Sequence, residues 1–144
     1  MKNRYLEDLR VGDRVQSAPV NVTEEDILEF SRRYDPQPMH MDRHAPGGLI
    51  ASGWHTGALV MRMMVDSNPL GGLPLLGLGV DGIQWTQPVR PGDTIQVEIE
   101  VLAIRPSQSQ PSHGIVKIRS TARNQHGDVV YVVTPNCWVP RRPV

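Results

Sequence analysis

The sequence predicts an α+β fold, with one antiparallel β-sheet wrapped around a single long apolar helix, and three observations carry that expectation. From Gly53 to Ser67, Trp54, Ala58, Met61 and Val65 form an apolar stripe at helical spacing, broadened by Leu59 and Met63. A stripe that wide suits a helix buried on more than one side. Further on, Ile95, Val97, Ile99 and Val101 alternate with Gln96, Glu98 and Glu100, the two-residue period of a half-buried strand. Finally, the elements read in the order strand, helix, loop, long helix, four strands, with no linker and no internal repeat. Residues 1–144 are therefore expected to form one domain.

Taken in order, Val11-Gly12-Asp13 makes a turn into a first strand from Arg14 to Val22. Thr23 reads as a helix N-cap, and Glu24, Glu25 and Asp26 place negative charge at the positive end of the helix dipole. That helix should stop near Tyr34, because Pro36 disfavours helical geometry in the residue before it. Asp35 to Gly48 holds three prolines and two glycines and reads as loop or short turns. A helix over Gly53–Ser67 would be about 22 Å long, and Asn68-Pro69 ends it. Leu76 to Trp85 is a glycine-bearing strand. Val116 to Arg123 alternates again, Gln125-His126-Gly127-Asp128 makes a hairpin turn, and Val129 to Val139 returns as the last strand. Pro135 within that strand implies an edge or a bulge.

Composition narrows the function. Lys+Arg and Asp+Glu both number 15, so the net charge is zero, and a general nucleic-acid binder would need a basic surplus. Cys137 is alone, so no internal disulfide and no CxxC zinc site is available. A reducing cytoplasm is the expected location. Met1-Lys2-Asn3-Arg4-Tyr5 lacks the apolar run of a signal peptide, and the Gly53–Val65 stretch is too short to span a bilayer. Neither nucleic acid nor membrane is an expected partner.

The chemistry concentrates in Tyr34-Asp35-Pro36-Gln37-Pro38-Met39-His40-Met41-Asp42. A carboxylate and an imidazole stand five residues apart on a turn stiffened by two prolines. Such a pair can bind one water, take its proton and return a proton nearby. The spacing alone is also met by a helix-ending Asp beside an unrelated loop His. In Gly47-Gly48-Leu49-Ile50-Ala51-Ser52-Gly53-Trp54-His55-Thr56, Gly53 falls at the start of the long helix. Its backbone N–H is free of intrahelical bonding and could hold a developing oxyanion. Equally, the glycine could serve tight packing there.

Together these segments resemble the MaoC-like dehydratases, which include the (R)-specific enoyl-CoA hydratases. The family pattern is aspartate, any residue, asparagine, proline, aliphatic, histidine, any residue, aspartate, followed by a glycine at the start of the central helix. Asp35, Pro38, Met39, His40, Asp42 and Gly53 fall in register, and Pro88-Val89-Arg90-Pro91-Gly92-Asp93 is similar to the family's turn between strands. The resemblance implies a hotdog fold and a homodimer, with the acyl chain in a tunnel beside the central helix. It implies Asp35 and His40 as the catalytic pair that activates water for addition to a trans-2-enoyl-CoA, or removes it from an (R)-3-hydroxyacyl-CoA. Gly53, with Ser52 and Gln37 beside the pair, is expected on the substrate. No metal and no redox cofactor is implied; coenzyme A enters as part of the acyl-CoA substrate.

Three positions depart from the family. Gln37 replaces asparagine, Ser52 stands where many members have histidine, and the stretch between Asp42 and Gly47 is short. Two other functions compete: a hotdog thioesterase, and a non-catalytic acyl-CoA-binding subunit. Thioesterases usually place a carboxylate on or near the central helix, and Gly53–Val65 contains none. Of the remaining residues, His55 reads as structural, the Met61, Met63 and Met64 group as core, and Cys137 as an inert strand residue. Trp85 and Trp138 read as packing or interface residues, and Asp42 as a cap for its loop.

Overall fold

The computed structural model of the protein describes residues 2–144. Helix α1 spans Glu24–Tyr34 and α3 spans Gly53–Asp66, with a single turn, α2, at Pro38–Met41 between them. The strands are β1 (Arg14–Gln16), β2 (Val20–Asn21), β3 (Leu76–Trp85), β4 (Thr94–Pro106), β5 (His113–Arg123) and β6 (Val129–Pro140). All pairings are antiparallel, in the order β1-β4-β5-β6-β3, with β2 also on β4. The expected first strand from Arg14 to Val22 is in fact two short pieces. Between them Ser17 turns its hydroxyl to accept the Val97 N–H at 2.9 Å, and Pro19 supplies no donor.

Thr23 caps α1 as expected, its Oγ1 accepting the Asp26 N–H at 3.1 Å. Pro135 does not lie on an edge, since β6 runs between β5 and β3. Its missing N–H falls where the ladder to β5 skips from Lys117↔Asn136 to Ser120↔Val133, and where the β3 pairing shifts after Val80↔Pro135. The bulge is what accommodates the proline.

The alternating residues of the sheet face α3. Ile95, Val97 and Ile99 of β4, Val116 and Ile118 of β5, and Cys137 and Val139 of β6 are buried with Val60, Met63 and Met64 of the helix. Ser120, fully buried on the same face, donates its hydroxyl to the Met64 sulfur at 3.2 Å. The helix, however, is not buried all round. The stripe read from the sequence is its open face: Trp54 is 61%, Met61 47% and Val65 49% exposed. The sheet covers one side of α3, and among the described residues the stripe through Trp54, Met61 and Val65 stays largely open to solvent. Strand β3 is similarly bare, with Leu76, Leu78 and Val80 exposed.

Candidate active site

The site forms where α1 ends and α3 begins. Asp35 is the C-cap of α1; its N–H donates to the Ser31 carbonyl at 2.9 Å, and its φ of −152° and ψ of 69° turn the chain out of the helix. Pro36 enforces that exit. Gln37 then caps α2, and Pro38 begins it, where a missing N–H costs nothing. One turn later His40 is directed inward, with only 8% of its surface exposed.

The imidazole has a fixed orientation. Its Nδ1 lies 2.8 Å from the Ile50 carbonyl oxygen, which can only accept, so Nδ1 carries the proton. In the neutral ring this leaves a lone pair on Nε2, and Nε2 lies 3.4 Å from Asp35 Oδ2. The loop that presents Ile50 is held from both sides. Ile50 N–H donates to the Met39 carbonyl at 3.0 Å, and Ala51 N–H to the Val89 carbonyl at 2.8 Å. The short stretch after Asp42 closes through successive turns, with Asp42 Oδ1 accepting the His44 N–H at 2.9 Å and left-handed backbone at Gly47 and Gly48.

The Asp35 carboxylate has a defined partner on each oxygen. Gln37 Nε2 donates to Oδ1 at 2.6 Å, and Ser52 Oγ donates to Oδ2 at 2.7 Å. These two bonds, the Gln37 amide first and then the Ser52 hydroxyl, hold the carboxyl below the usual aspartate range, and the nearby His40 adds a smaller electrostatic pull in the same direction. They outweigh partial desolvation, which acts the other way. Ser52 is the N-cap of α3, yet its hydroxyl makes no cap bond. The side chain that ordinarily satisfies a helix N–H is spent on Asp35 instead.

At the start of α3 the first helical bond is Thr56 N–H to the Ser52 carbonyl, at 3.1 Å. Among the described residues, the N–H groups of Gly53, Trp54 and His55 have no backbone acceptor, so the positive helix end is available beside Asp35. Trp85 covers Gly53: its Nε1 donates to the Gly53 carbonyl at 2.8 Å, and a Cβ on Gly53 would lie 2.7 Å from that nitrogen. Phe30, Tyr34, Trp54 and Ala58 line an apolar pocket that has Asp35 in its wall.

Of the residues expected in the site, Asp35, His40, Gln37 and Ser52 come together by direct contact, and Gly53 follows Ser52 in the chain. Ser52 and Gln37, expected on the substrate, both bind Asp35. Ser52 is moreover fully buried. The Ile50 carbonyl was not foreseen, since a backbone acceptor leaves no mark in sequence; nor was the seat of Trp85 on Gly53. His55 stacks on Phe30 at 5.0 Å with its Nδ1 buried and unpartnered, and burial lowers its basicity. This is a packing role. Burial also pushes the Cys137 thiol up to about 11, leaving it unreactive.

Residues 9–124 match the family described as MaoC like domain. Among solved structures, the chain is similar to the MaoC-like dehydratase from Rhodospirillum rubrum, with TM-score 0.92 and 45% identity over 97% of this chain and 99% of that one. It is also similar to the unliganded R-hydratase PhaJ1 from Pseudomonas aeruginosa, with TM-score 0.79 and 26% identity over 97% of this chain and 88% of that one. A relative in sequence is YdeM of Bacillus subtilis, 26% identical over 125 residues, which are 83% of this chain and 87% of that protein. The helix-on-sheet arrangement is thus the hotdog fold that the sequence resemblance implied.

Proposed function

We propose that this chain, which belongs to the MaoC-like domain family, is a hydro-lyase that adds water to a trans-2-enoyl-CoA or removes it from an (R)-3-hydroxyacyl-CoA. The observation that carries this is the Asp35–His40 pair, with the Nε2 lone pair and Oδ2 3.4 Å apart beside the free N–H groups of α3. Two acceptors so placed take the two hydrogens of one water and leave its oxygen lone pairs outward. Attack on C3 of the enoyl thioester forms the C–O bond as one O–H bond breaks, and the proton passes to the pair. The π electrons of the C2–C3 bond move toward the thioester oxygen, which the Gly53 N–H supports. The enolate then recovers its carbonyl as the pair's proton goes to C2. Dehydration is the reverse path.

The runner-up, thioester hydrolysis, gains nothing from α3. Its one carboxylate, Asp66, is at the far end and paired with Arg62 at 2.9 Å. Purified protein given an enoyl-CoA should bleach the conjugated absorbance without releasing thiol. Thiol release, or binding with the band unchanged, would overturn the hydratase reading.

The assembly belongs to the same proposal. Exposed Trp54, Met61 and Val65 on α3, and Leu76, Leu78 and Val80 on the open edge of β3, suit a second copy of this chain. The Trp54–Trp85 edge-on contact, 5.3 Å between centroids, links the helix start to the strand end. Light scattering should give about twice the 16.1 kDa chain mass at micromolar protein. Leu78→Asp should shift the protein toward monomer, and a wild-type chain already monomeric would rule the homodimer out.

A further inference from the structure

The geometry points to Gln37 as a positioning residue, whose side-chain amide fixes the plane of the Asp35 carboxylate so that one oxygen stays turned toward His40 Nε2. A carboxylate held at one oxygen can still swing about its Cβ–Cγ bond and turn that plane away. Here both oxygens are pinned, by the buried Ser52 hydroxyl at 2.7 Å on one and the Gln37 amide at 2.6 Å on the other. Gln37 also touches both members of the pair through its backbone. Its N–H donates to the Asp35 carbonyl at 2.8 Å, and its carbonyl accepts the His40 N–H at 2.9 Å. The side chain is exposed. Packing therefore does not hold it where it is; the charge-assisted bond to Asp35 does. The amide is also the leading cause that holds the Asp35 carboxyl below the usual aspartate range.

This rests on Asp35 acting in the hydratase proposed above, so one readout is independent of turnover. Carbon-13 NMR of the Asp carboxyls, assigned with Asp35→Asn, follows the Asp35 titration in wild type and in Gln37→Leu. The Leu variant should keep its melting temperature, because an exposed side chain is replaced. Its Asp35 midpoint should move to higher pH. With enoyl-CoA, kcat should fall about tenfold, the scale of one exposed hydrogen bond to a charge. KM should stay within about twofold, and the acid limb of kcat/KM should follow the NMR midpoint upward. Gln37→Ala gives the same readings should Leu misfold. An unmoved Asp35 midpoint would overturn the proposal, and so would a raised KM with kcat unchanged, which would make Gln37 a substrate contact. A midpoint that moves in a wild type inactive on every enoyl-CoA would leave Gln37 holding Asp35 and remove the hydratase reading instead.

Discussion

Asp35→Asn and His40→Ala are each expected to lower turnover on an enoyl thioester by at least about a hundredfold, the usual scale for a lost general acid or base. The Asn substitution matches in shape and fails in hydrogen bonding. If its NH2 takes the place of Oδ1, it meets the Gln37 amide donor; if it takes the place of Oδ2, it points a donor at the His40 lone pair. The second arrangement destroys the two-acceptor seat for water, and the first keeps an acceptor there but no carboxylate to take the proton. His40→Ala removes Nε2 outright and strips the Ile50 carbonyl of its donor. Because both residues hold one water, the effects should not add, and the double variant should be little worse than the weaker single one. Stopped assays on the three variants, each shown to be folded by its melting curve, provide the check. Near-normal hydration by either single variant would remove that residue from the mechanism.

Gly53 gives the second large effect, and the structure dictates how it must be measured. Alanine there places a methyl 2.7 Å from Trp85 Nε1 and 2.8 Å from Cε2, so the indole must move or the helix start must shift. Proline would bring the same methylene carbon in addition to removing the N–H, so in the native background the two losses are mixed. They separate in a Trp85→Ala background, which opens the space. Trp85 is 44% exposed, and its removal should leave a folded protein. In that background Gly53→Ala should be close to its parent, and Gly53→Pro about two to three powers of ten slower, the scale of one oxyanion donor. The proline is sterically welcome: Gly53 is the first helical residue, and Ser52 before it has φ −55° and ψ 139°. Equal rates for the Ala and Pro variants would put the thioester oxygen elsewhere. Gly53→Ala combined with Trp85→Ala should hydrate faster than Gly53→Ala alone in the native background, a direct measure of the clash.

The sequence by itself determined most of the elements and the pair of side chains proposed to react. A 3.6-residue period, a two-residue period, the Thr23 cap and the prolines at positions 36, 38 and 69 act through neighbours in the chain, so they are legible without the fold. The approach of Asp35 to His40 was legible for the same reason, since one stiff turn carries both. Tertiary structure alone decided which face of α3 is buried. Trp54, Met61 and Val65 make as good a stripe as Val60, Met63 and Met64, and periodicity cannot say which one meets the sheet. It also decided that Ser52 binds Asp35 rather than a helix N–H, that the Ile50 carbonyl sets the His40 proton, and that Trp85 sits on Gly53. Those three contacts join residues 10 to 32 positions apart, and two of them end on a backbone carbonyl of the kind every residue possesses. A side chain's identity states what it can bond, and only the folded chain brings it a partner.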